Sequence, residues 1–162
     1  MTERIRAAQP ADLSVMVELA EQAREKLQQY QPVFWRKADD SYEKHYAYLR
    51  DVLARESTIA FVYEQEEDGT DFVVAGFVIA SIVKAPPVYA AGLTCHVDDF
   101  CVAHEANWLR IGRLLLDEVK QRAKERGANQ IVVVCPHLDH AKRSMLQDAG
   151  LTIASEWYVT SL

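Results

Sequence analysis

The chain has 162 residues, 49% hydrophobic and 26% charged, with a formal net charge of −6. That length suits one domain, residues 1–162, able to bury roughly two-thirds of its unfolded surface. The acidic balance argues against nucleic acid as the main partner, because phosphate binding needs clustered Lys and Arg, and no apolar run approaches the ~20 residues that span a bilayer.

The opening "MTERIRAAQPADL" lacks the apolar stretch of a secretory leader. Cys95, Cys101 and Cys135 are odd in number and show no CxxC spacing, so neither a disulfide framework nor a metal site is expected. A reduced, cytoplasmic protein is the simplest expectation. "RIRAA" (Arg4 to Ala8) is a short alternating strand. Pro10 and Asp12 open a helix whose apolar positions Leu13, Met16, Val17, Ala20, Ala23 and Leu27 keep the helical period. Pro32 in "YQPVFWRKADD" ends it. Ser41 caps a second helix with one stripe of Tyr42, His45, Tyr46, Leu49, Val52 and Leu53.

"STIAFVYEQ" and "DFVVAGFVIASIV" form an antiparallel hairpin around the turn "EEDGT". The second strand is long and apolar, which predicts a central place in the sheet. "KAPPVYAAG" is a loop, since Pro86 and Pro87 are foreign to a central strand, and "LTCHVDDFCV" is the next strand. A long helix runs from Asn107 to about Arg126, stopped by Gly127 in a left-handed conformation. "QIVVV" is a short strand, Asp139 to about Asp148 a helix closed by Gly150, and "LTIASEWYVTSL" a final strand. The order β-α-α-β-β-β-α-β-α-β describes an α/β domain with a mixed sheet.

That order, with "DDFCVAHEANWLRIGRLLLDEVKQRAKERGANQIVVV" in its second half, resembles the GNAT acetyltransferase superfamily. The element order covers nearly the whole chain, while the motif-level match runs from about Leu93 to Leu151. In the family a bulged strand precedes a turn of pattern Q/R-x-x-G-x-G/A, whose amides bind the pyrophosphate of acetyl-coenzyme A as the turn opens a helix. Laid on this chain without gaps, the pattern places Asn107, Arg110 and Gly112 at its three defining positions, and the first two depart from it. The physics tolerates the departure. A helix start leaves N–H groups without partners and carries about half a positive charge, and any residue but proline supplies the donor. Trp108, Leu109, Arg110, Ile111 and Gly112 can therefore present amides to an anion, with Arg113 a nearby cation. Arg110 either blocks close approach or, swung outward, meets phosphate itself. The plainer alternative is a helix start capped by Asn107, with Trp108 anchored in the core.

The resemblance implies acetyl transfer from acetyl-coenzyme A to a small-molecule or peptide amine, attacking directly in a ternary complex. Such a reaction needs a base for the amine, a donor for the oxyanion and an exit for the thiolate. His96 falls where some family members carry a catalytic glutamate, and an imidazole with a pKa of about 6.5 can take the proton. Asp98 and Asp99 can serve instead, or orient it; a strand bulge decides which faces the cleft. By the same resemblance, the backbone of Phe100, Cys101 and Val102 pairs with the pantetheine arm like an added strand. The tyrosine that often protonates the thiolate in the family is replaced by Leu146. Asp139 reads as an N-cap, and Lys142 and Arg143 as solvated helix charges. Phe34 and Trp35 lie where the family shapes its acceptor pocket, or else pack the helices onto the sheet. Cys135 with His137 and His140 lacks the remaining parts of a cysteine hydrolase. Two further readings stay open: a GNAT-like module that binds an acyl-coenzyme A or metabolite without turnover, and a ligand-free domain whose final strand "SEWYV" pairs with a second copy as a homodimer.

Overall fold

The computed structural model describes residues 2–69 and 71–162. Five strands form one sheet in the order β1 (Glu3–Ala7), β2 (Thr58–Glu67), β3 (Asp71–Lys84), β4 (Leu93–Val102) and β5 (Gln130–Val133). The first four run antiparallel, and β5 joins β4 in parallel. The long apolar β3 is the middle strand, as its composition requires, because only a strand covered on both faces can afford such a sequence.

Helices α1 (Leu13–Tyr30), α2 (Pro32–Trp35) and α3 (Ser41–Leu53) lie before β2, while α4 (Arg113–Glu125) and α5 (His140–Asp148) flank β5 in the chain. The sheet separates two cores. On one face Leu13, Met16, Val17, Leu49 and Val52 meet Val62, Phe77 and Ile79. On the other, Trp108, Ile111, Leu115, Val119 and Met145 meet Tyr63, Val78, Val97 and Phe100. Alternate residues of each strand serve opposite cores, which the two-residue period of a pleated strand enforces.

The structure differs from the sequence reading at several ends. Asp40, not Ser41, precedes the first turn of α3, and the Ser41 hydroxyl instead donates to Glu21 on α1. Pro32 does not simply stop a helix. It opens the short α2, where proline suits a first turn that lacks an N–H partner anyway. Gly127 and Gly150 take φ of 83°, the left-handed stops their positions call for. The expected last strand is the main correction: residues 152–162 join no sheet, and Ile153, Trp157 and Tyr158 are 66%, 81% and 88% exposed. Alternating apolar residues report a capacity to pair, and whether they pair is decided by tertiary context.

Candidate functional site

β4 carries the site because its ladder is irregular twice. Its register on β3 slips between Ile79 and Ala80: Ile79 faces Asp99 and Ala80 faces Val97, so Asp98 is the extra, bulged residue. A bulge restores side-chain alternation out of step. His96 and Asp99, three apart, therefore share the face that Ser81 and Ile79 address, the α1–α3 side. Second, β4 outruns β5. The last paired residues are Val97 and Val133, and Asp98 to Val102 continue with no β5 residue beside them. The two parallel strands part there.

His96 Nδ1 lies 2.8 Å from Asp98 Oδ1, with both side chains partly exposed. The carboxylate of Asp98 is thus the nearest charged partner of the His96 ring. The imidazole borders a cavity of about 400 Å³ under the Ala85–Gly92 loop, shared with Thr94, Tyr89, Gln130 and Val132. Asp99 belongs to a second arrangement. Arg24 Nη1 lies 3.1 Å from His45 Nδ1, and His45 Nε2 lies 3.2 Å from Asp99 Oδ2. An arginine only donates, so Nδ1 accepts and Nε2–H points at the carboxylate. Neither Arg24 nor His45 stood out in the sequence as a site residue. The available signal was a histidine inside an otherwise apolar helical stripe, and His45 is buried.

The turn after β4 is tightly built. Glu105–Asn107 form a 3₁₀ turn and Trp108–Gly112 wind with the wider π-helical period before α4 begins, a local irregularity common at functional sites. Trp108 is buried, its ring set edge-on to Phe100 at 4.9 Å. Gly112 has ordinary helical φ, yet a Cβ there would stand 2.5 Å from Trp108 Cε3. Its smallness makes room for the indole. Gly76 on β3 acts similarly, since a Cβ would press on Ile111 Cγ2 at 3.0 Å and the Cys101 carbonyl at 3.1 Å. Asn107 makes no side-chain cap bond, so the plain capping role expected for it is absent. Leu109 is exposed and Ile111 fully buried. Arg110 turns toward β1 and β2, where its guanidinium donates to Glu3 and, at 2.8 Å, to the Tyr63 hydroxyl. Arg113 is held by Asp117 at 3.0 Å and by Asp148 at 3.1 Å.

Several side chains sit where sequence reasoning did not put them. Lys142, read as a solvated helix charge, is 5% exposed, and its Nζ lies 3.4 Å from the Phe100 carbonyl. Asp139 does cap α5, accepting from the Lys142 amide at 3.2 Å. Phe34 and Trp35 do not pack the helices onto the sheet. No residue of α2 is buried, and their ring contacts are with each other at 4.6 Å and, from Phe34, with Trp157 at 6.2 Å. Burial, with the charge of Asp99, pushes the Cys101 thiol up to about 12, and burial pushes Cys135 up to about 11. Reactive cysteines show the opposite shift, so the surroundings of both thiols favour the protonated, unreactive form.

Comparison with known proteins bears on the family and the fold. A model described as the acetyltransferase (GNAT) family matches residues 20–150. No curated protein sequence matches the chain. Among solved structures, a predicted acetyltransferase with acetyl-CoA from Clostridium acetobutylicum is similar at TM-score 0.74 and 18% identity, covering 99% of this chain and 96% of the other. A tetramutant of a Bacillus halodurans protein reaches TM-score 0.82 at 16% identity, covering 98% and 99%. Glucosamine-6-phosphate N-acetyltransferase from Arabidopsis thaliana reaches 0.64 at 17% identity, covering 99% of each. At these identities the likeness is one of fold.

Proposed function

The chain belongs to the GNAT acetyltransferase family, and from that premise we propose that it is an N-acetyltransferase moving an acetyl group from acetyl-coenzyme A to an amine. The thioester, when bound, supplies an activated acyl carbon. The observation that carries the reading is the strip of β4 from Asp98 to Val102 beyond the last β5 pair, beside a helix start. The main-chain groups of Phe100, Cys101 and Val102 suit an extended amide-bearing arm there. The amides of the Trp108–Gly112 turn, with Arg113 close by, suit a diphosphate. Arg110 is occupied on the β1–β2 side, so its bulk stays clear of the side facing α5.

His96 acts as the base in this reading. Its imidazole takes a proton from the amine, and Asp98, 2.8 Å from Nδ1, steadies the ring. Asp99, positioned by Arg24 and His45, provides the negative charge that holds a cationic amine before it loses that proton. The acceptor enters by the cavity under the Ala85–Gly92 loop that His96 borders. Titration calorimetry with coenzyme A and with acetyl-coenzyme A tests the assignment. Saturable binding is expected, and its absence at millimolar ligand would end it.

A second copy is the natural partner for the C-terminal segment. β5 has one neighbour, β4, so its outer edge can accept a strand, and the exposed apolar residues of the segment gain by covering it. A homodimer is the assembly that this pairing builds.

A further inference from the structure

Lys142 is the buried charge that the reaction above leaves without a task. It sits on α5 one helical turn before Leu146, with its ammonium 3.4 Å from the Phe100 carbonyl. Its nitrogen is also 5.3 Å from the centre of the Phe100 ring and 5.3 Å from that of Trp108. Among the described residues no carboxylate closes on it as an ion pair. Burying an ammonium is costly unless its hydrogens are used, and it has three. One makes a long bond and the ring faces give partial compensation. The remaining donor capacity lies beside the strip of β4 that β5 leaves uncovered.

We propose that Lys142 is a catalytic residue whose ammonium pairs with the sulfur of the departing coenzyme A thiolate. This rests on the acetyltransferase reading. The amine nitrogen bonds to the acyl carbon, the carbon–sulfur bond breaks, and its electron pair stays on sulfur. The amine proton goes to His96, so the new negative charge is left on sulfur beside Lys142. A fixed cation in a dry slot stabilises that charge as it develops. Leu146, fully aliphatic, contributes nothing polar at the position where a tyrosine would stand in related enzymes, and the charge on the preceding turn takes over its task.

The test is spectroscopic as well as calorimetric. Coenzyme A is titrated onto wild type, Lys142→Met and Lys142→Arg, and the ionisation of its bound thiol is followed by ultraviolet thiolate absorbance against ligand-free protein. The ligand-free titration of each variant is subtracted to remove the protein's own thiols, which burial pushes up. Bound coenzyme A should ionise about one pH unit lower on wild type than on Lys142→Met, a roughly tenfold change in the ionisation constant, with Lys142→Arg close to wild type. Equal thiol titration on wild type and Lys142→Met would overturn the proposal and leave the acetyltransferase reading standing. So would coenzyme A binding tenfold tighter to Lys142→Met with an unshifted thiol, which makes the lysine a plug. Failure of wild type to bind coenzyme A at all would bring down both.

Discussion

Two histidines stand beside the β4 bulge, and their surroundings give them different work. His45 is buried with both nitrogens engaged, so it has no free atom to exchange a proton and instead fixes Asp99. His96 is partly exposed and borders a cavity. Its loss should therefore reach the chemical step. His96→Gln is expected to lower kcat/KM about 100-fold, the scale of a general base, in steady-state acetylation across a panel of amines. Asp99→Asn should instead raise the acceptor KM while kcat falls less. Equal activity of His96→Gln and wild type would remove the histidine from the mechanism. His96, Asp98 and Asp99 were legible as candidates because the motif spacing reaches them. Arg24 and His45 were not, since they come from α1 and α3 and meet Asp99 only when both helices close over the sheet.

At the scale of elements, the turn that opens α4 is defined by one aromatic ring. Trp108 fills the space between Phe100 and the helix start, and Gly112 must lack a side chain for the ring to fit. The backbone there is ordinary helix, so the usual argument from glycine's conformational freedom does not apply. Gly112→Ala is expected to destabilise the fold by about 1–3 kcal/mol through overpacking, read as a lower urea midpoint with unchanged slope. Coenzyme A affinity should fall with it, because the indole would displace the same turn. A midpoint equal to wild type would mean that the ring has another place to go. The sequence pattern marked this glycine as a phosphate-approach residue. Its packing duty became visible only once the indole was seen lying over it.

The whole molecule exposes more surface than its size requires. A compact monomer of 18.4 kDa is expected to expose about 8,200 Å², whereas this chain exposes 10022 Å². The excess, roughly 1,800 Å² per chain, is more than the ~800 Å² that each partner gives to an ordinary protein interface, and the exposed apolar residues of 152–162 contribute to it. Light scattering should report a dimer, and a chain ending at Leu151 should report a monomer with its two cores intact by circular dichroism. A wild-type monomer at every concentration would refute strand exchange between copies. Trp157 touches Phe34, so the truncated chain also tests whether this segment borders the acceptor.

The sequence alone determined the layers: helical and strand periods set which face of each element is apolar, and the long apolar β3 had to be central. Local spacing also placed β4 and the helical segment after it, while the bulge was expected from the family resemblance and the regular α4 begins at Arg113, later than the expected Asn107. Tertiary structure alone decided which polar groups meet. The slip between Ile79 and Ala80 brought His96 and Asp99 to one face, the closing of α1 and α3 made the Arg24–His45–Asp99 chain, and the approach of α5 to β4 buried Lys142. The physical reason is range. Backbone geometry and hydrophobic period act over a few residues, whereas a register slip, a terminal segment left unpaired and a charge sealed between elements depend on residues tens of positions apart.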